Sequence, residues 1–248
     1  MNGDPERNGE SPVGRQDREK SLPVLAVVAA TGEVLARPEL DEGLLAPWER
    51  RRLDRIRVPA RRDDVLAARL LVRLCVARFT GLPLDASGPE QYCAECGRDG
   101  HGRPRLDGRP GLGVSISHAD GLVAAAVGPG PVGVDVEPAS RRPGPPSVLR
   151  RLLPEAALRE AAARPDPGPA LLRLWVRGEA LFKAGGGTGL GLLEWADGAR
   201  GAVVAVAAEV PVTTFTASPA SRAEPPARGL AGEGGGPTPS PPMVGNAP

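Results

Sequence analysis

A chain of 248 residues with a formal net charge of +1 is long enough for one sizeable core or two small ones packed together. The balanced charge gives no basic field for nucleic acid or an anionic membrane, and no apolar run approaches the roughly 20 residues that span a bilayer. Three cysteines, an odd number, and a charged N-terminus without an apolar signal core fit a reducing cytoplasm.

Residues 1–21 are charged and aperiodic and are expected to be a disordered tail. Leu25 to Ala30 is an apolar run suited to a buried strand, closed by a turn at Thr31-Gly32. Glu42–Arg55 and Arg62–Phe79 read as helices; the second carries Leu66, Leu70, Leu74 and Ala77 along one face and stops at Gly81, with Pro83 beyond. Residues 85–111 read as loop. Leu112–Ser117, Leu122–Val127 and Val132–Glu137 read as three strands joined by turn chemistry at Ala119-Asp-Gly121 and Gly128-Pro-Gly-Pro131, which predicts an antiparallel meander.

Pro143–Pro146 reads as a linker. Leu149–Ala163 and Ala170–Ala184 read as helices, separated by Pro165-Asp-Pro-Gly-Pro169. Ala202–Ala208 and Val212–Thr216 are terminal strands, and the Pro/Gly-rich residues 217–248 form a second expected disordered tail. The expected fold class is α+β, one domain over 22–216 with halves of about 22–111 and 112–216.

Asp135 and Glu137 stand two apart on a strand and so share a face. Glu179 and Lys183 are i,i+4 neighbours on a helix. On their own these are an edge strand's solvent face and a surface ion pair, the latter contributing only about 0.2–0.5 kcal/mol. Taken together, three carboxylates and a lysine suit a magnesium-dependent site that handles phosphate, because a hard cation held by carboxylates bridges readily to a diphosphate. Lys183 is the only lysine besides Lys20. Cys93-x2-Cys96-x4-His101 has the form of half a zinc site, but structural zinc takes four ligands, so the segment reads mainly as a reduced loop feature.

Four ordered blocks carry a family resemblance: Gly102-Arg-Pro104, Val114-Ser-Ile-Ser-His118, Gly133-Val-Asp-Val-Glu137 and Trp175-x3-Glu179-x3-Lys183. From roughly Leu25 to Phe215 the chain resembles a 4′-phosphopantetheinyl transferase of the pseudodimeric, surfactin-synthetase-activating type. The resemblance implies two related halves with the active site between them, and transfer of 4′-phosphopantetheine from coenzyme A to a serine of an acyl or peptidyl carrier protein. Such a carrier would belong to fatty acid, polyketide or nonribosomal peptide biosynthesis. It implies Mg2+ on Asp135, Glu137 and Glu179, with Glu179 also taking the serine proton and Lys183 stabilising the phosphate oxygens. It further implies coenzyme A contacts from Ser117 and His118, from Arg103 towards the 3′-phosphate end, and from Arg62 and Arg69 on a basic helix. Trp175 reads as packing.

The chain departs from the family at Gly178, where relatives carry lysine. Glycine in a helix costs about 1 kcal/mol relative to alanine, and the charge is missing. A catalytically impaired relative that binds coenzyme A or carrier protein is therefore the alternative reading. A cytoplasmic monomer with no nucleic-acid or membrane partner is expected.

Overall fold

The computed structural model describes Glu19 and residues 21–93, 95–143, 149–150 and 153–217. Most of both expected tails and of the Pro143–Pro146 linker lies outside the described residues. Glu19, however, is buried and pairs with Arg109, so the N-terminal segment touches the domain at that point.

In chain order come β1 (Val24–Ala30), α1 (Thr31–Leu35), α2 (Pro47–Leu53), α3 (Pro59–Thr80), β2 (Glu90–Cys93), β3 (Arg98–Arg105), β4 (Leu112–Ala119), β5 (Leu122–Pro129) and β6 (Val132–Pro138). There follow α4 (Glu155–Ala162), α5 (Pro167–Ala184), β7 (Gly191–Asp197), β8 (Ala202–Ala208) and β9 (Val212–Thr216). This is a mixed α+β chain.

Two sheets stack face to face with a helix on each outer side. The first has strand order β4-β5-β1-β9, the second β6-β8-β7. Alternation along the strands builds the layers. Val27 and Ala29 of β1 face α3, whereas Val24, Ala26 and Val28 meet Val132, Val134 and Val136 of β6 and Val204 and Val206 of β8. Ala205 and Ala207, on the other face of β8, pack against Leu172, Val176 and Ala180 of α5.

The expected three-strand meander ends after two strands. β4 and β5 form an antiparallel hairpin, but β6 leaves for the second sheet and pairs with β8. Pro129 and Pro131 lie at this crossing and have no N–H to continue a ladder. Two β6 amides that face β4 are satisfied instead by side chains: Val134 N donates to Ser115 Oγ at 3.0 Å and Val136 N to Ser117 Oγ at 3.4 Å. The sheets therefore divide the chain near Pro129–Pro131, and β9 returns to pair in parallel with β1.

Three local readings also change. The helix expected over Glu42–Arg55 is split into a 3-10 turn, Glu42–Leu44, and α2, which restarts at Pro47. Pro154 delays α4 to Glu155, and Asp166 caps α5 by accepting from Gly168 N at 3.2 Å. Residues 85–111, read as loop, contain the hairpin β2–β3, which carries almost no apolar periodicity. Gly81 ends α3 in the left-handed conformation, φ 73°, as its sequence position predicts.

Candidate active site

The site begins with a close approach of strand and helix. A Cβ at Gly133 would collide with the carbonyl of Ala180 and lie 2.6 Å from Ala184 N, so only glycine lets α5 come so near β6. Asp135 and Glu137 lie on that same face, and the approach sets them beside Glu179 and Lys183. Both strand carboxylates are buried, so the solvent-face reading of this strand does not hold.

Asp135 Oδ1 is the hub. Lys183 Nζ lies 2.7 Å from it and Ser117 Oγ donates to it at 2.7 Å. Lys183 also donates to Ser117 Oγ and to the Val134 carbonyl, each at 3.1 Å. Asp135 Oδ2 is buried with no hydrogen-bond partner. An orphaned carboxylate oxygen is costly and marks where a cation or donor is missing.

Glu137 pairs with Arg141 at 2.6 Å and accepts from the Trp175 indole. Burial raises its pKa above the usual carboxylate range, against the pull of Arg141. Glu179 is also raised, first by burial and then by the neighbouring Asp135 charge, with Lys183 opposing. Two carboxyls held uphill of ionisation beside an orphaned oxygen fit a divalent cation with hard oxygen ligands. In this structure their oxygens are not gathered within 4.8 Å; among the described residues the only such group of His, Cys and acidic donors is Cys93, Cys96 and His101.

Next to this hub is a cavity of about 670 Å³, walled by α3, β3, β4 and the end of α5. Its polar lining includes Arg52, Arg69, Gln91, Arg103, His118 and Lys183. Arg69 is buried, and its pKa is pulled down to about 10 chiefly by that burial. It donates to Gln91, stacks on Trp48 at 5.0 Å and keeps Nη1 without a hydrogen bond. Arg103 reaches the Phe182 carbonyl at 3.4 Å, near the C-terminus of α5.

His118 ends β4, where the β4–β5 turn is anchored from α3: Asp64 accepts from Gly121 N at 3.1 Å and from the Thr31 hydroxyl at 2.5 Å. Crowding by protein, then the cations Lys183, Arg61 and Arg69, lower the imidazole pKa against the pull of Asp64.

Of the residues singled out in the sequence, Asp135, Glu137, Glu179 and Lys183 converge, and Ser117, His118, Arg69 and Arg103 surround them or line the cavity. Arg62 does not join them. It lies on the outer side of α3 and pairs with Glu42 at 2.8 Å, while the adjacent Arg61 turns towards His118. Helical azimuth decides between the two arginines. Ser117 is committed to Asp135 and β6, so it positions the carboxylate. Sequence reasoning missed Gly133 as the close-approach residue, Trp175 as a donor to Glu137, and Arg52 and Gln91 in the cavity wall. The glycine preceding Val-Asp-Val-Glu was the one visible signal among them.

The position of Gly178 also differs from expectation. A Cβ there would lie 2.6 Å from Leu153 Cδ2, in the small apolar cluster between α4 and α5. Arg177 pairs with Glu194 at 3.2 Å and is not turned to the hub.

Residues 131–214, about a third of the chain, match the family model of the 4′-phosphopantetheinyl transferase superfamily. The matched segment runs from β6 through α5 to β9 and contains Asp135, Glu137, Glu179 and Lys183. No curated protein matches the chain. Among the described residues no helix is long and apolar enough to cross a membrane.

Proposed function

We propose that this protein transfers 4′-phosphopantetheine from coenzyme A to a serine of an acyl or peptidyl carrier protein, in the surfactin-synthetase-activating manner, as a cytoplasmic monomer whose two sheet layers correspond to the family's paired halves. One observation carries the reading. The orphaned oxygen of Asp135, the raised Glu179 and the buried-side Lys183 adjoin a cavity lined with arginines, and the family match spans the residues of that hub.

Asp135, Glu137 and Glu179 would hold Mg2+. When bound, the ion supplies charge neutralisation for a diphosphate. The remaining chemistry belongs to the chain. A raised carboxylate is a better base than an ordinary one near neutrality, so Glu179 takes the proton from the serine hydroxyl. The serine oxygen forms its bond to the β-phosphorus as the bond to the departing 3′,5′-adenosine bisphosphate breaks. Lys183 Nζ, oriented by Ser117 and the Val134 carbonyl, stabilises the phosphate oxygens. Arg69 and Arg103 hold the nucleotide phosphates in the cavity, and His118, whose pKa burial lowers, offers a hydrogen bond at its edge.

The test incubates the protein with coenzyme A, Mg2+ and a panel of apo-carriers and weighs the carriers by mass spectrometry. A gain of one phosphopantetheine on the carrier serine is expected. Binding of coenzyme A with no carrier modified would replace this reading with that of a non-transferring relative.

A further inference from the structure

The hairpin β2–β3 forms one wall of the cavity but has little to hold it. It is a two-stranded sheet of its own, separate from both main sheets, and most residues of β3 are exposed. Two-stranded hairpins are marginal in water without a hydrophobic face or a clamp. Its ties to the body are polar or shallow. Arg52 donates to the Gly100 carbonyl, Arg69 donates to the Gln91 side chain, and Gly100 lies against the Trp48 ring.

At the tip, Cys93, Cys96 and His101 present donor atoms that all lie within 4.8 Å of one another, with Cys96 Sγ 3.6 Å from His101 Nδ1. The turn between the strands is closed by backbone. Gly97, in the left-handed conformation at φ 65°, donates to the Cys93 carbonyl at 2.8 Å, which folds Cys96 back towards Cys93. Two cysteines and a histidine so placed are the donor types that zinc takes. Arg98 lies beside Cys96. The third cysteine does not belong here: Cys75 is buried in the main core, directed at the Leu25 carbonyl at 3.5 Å.

We infer that Cys93, Cys96 and His101 bind a thiophilic divalent cation, Zn2+, in a tetrahedral site whose fourth position is taken by water. Three protein ligands and one solvent ligand is an established zinc arrangement, and two thiolates with one imidazole favour zinc over magnesium or calcium. The donors come from both strands and the turn between them, so the ion closes the tip covalently in place of the missing core. His101 lines the cavity, as do Gly102, Arg103 and Pro104 directly after it. The ion thus fixes the strand that carries Arg103. This inference does not depend on the proposed transfer activity.

The full-length protein, reduced and stripped of metal, is titrated with Co2+ and then Zn2+. About one equivalent of Co2+ should bind with a tetrahedral d–d spectrum and a thiolate charge-transfer band, and Zn2+ should displace it. The band should disappear in Cys93→Ser and Cys96→Ser and weaken in His101→Ala. Hydrogen exchange across residues 93–105 should slow in wild type on adding Zn2+, a readout that needs no variant to fold. Absence of the charge-transfer band in reduced wild type, an unchanged band in the serine variants, or exchange indifferent to Zn2+ would each overturn the site.

Discussion

Lys183 Nζ lies 2.7 Å from Asp135 Oδ1, yet the other oxygen of that buried carboxylate has no partner. The lysine therefore satisfies half of the aspartate and leaves Oδ2 for something else. An internal cation and an external one can share the group, one on each oxygen. Ser117 enforces the division by donating to the same oxygen that Lys183 holds.

Asp135→Asn and Glu179→Gln should each lower transfer by about 100-fold or more, the scale of losing one preorganised electrostatic partner. Excess EDTA should abolish activity and Mg2+ restore it. Circular dichroism on the same samples should show the fold retained. Wild-type rates in either variant, or undiminished rates in EDTA, would remove the cation from these carboxylates.

The raised carboxyls predict a direction with pH. Glu137 and Glu179 have folded pKa values above the ordinary 4.5, so between that value and their folded values the native state binds more protons than the unfolded chain. Their contribution to stability therefore falls as pH rises through that window. Mg2+ should relieve the strain where the groups are ionised. The Mg2+-induced rise in melting temperature should be small near about pH 5 and larger near about pH 8. A shift of equal size at both would mean these carboxyls are not its source.

Gly178→Lys should not raise turnover, although it supplies the lysine that the family resemblance implies at this position. Its Cβ would meet Leu153 Cδ2 at 2.6 Å. Leu153 must swing its side-chain tip aside to admit it, which disturbs the small α4–α5 cluster and offsets the about 1 kcal/mol recovered from helix propensity. A denaturant midpoint equal to or below wild type, with an unimproved transfer rate, is expected. A faster and more stable variant would show that the α4–α5 contact gives way easily.

Glu49→Ala should strongly destabilise the fold from behind the cavity wall. Glu49 is buried against Arg73, lies 3.7 Å from Arg69 and accepts from Ala46 N at 2.8 Å. Removing one partner of a buried pair costs about 3–5 kcal/mol because the other charge stays buried. Equilibrium urea unfolding measures it, and a loss under about 1 kcal/mol would mean that water reaches Arg73.

Much of the fold is legible where a pattern repeats locally. β1, β8 and β9 fall within a residue of their apolar runs, and α3 ends at the glycine that its sequence marks. The hairpin β2–β3 is not legible, because its pairing rests on long-range polar ties and a positive-φ turn. Strand β7 is not legible either, since Gly191–Asp197 is held as a strand by its pairing with β8.

The sequence alone determined which chemical groups are available: the period of two that joins Asp135 to Glu137, and the helical step that joins Glu179 to Lys183. These follow from backbone geometry and need no partner. Only the tertiary structure decided that the two pairs meet, through a glycine at 133 that admits α5 to the strand. It also decided that Arg69 enters the cavity while Arg62 turns to Glu42, and that Gly178 faces Leu153. Azimuth and close approach depend on what packs on the far side of an element, and that information is distributed over the whole chain.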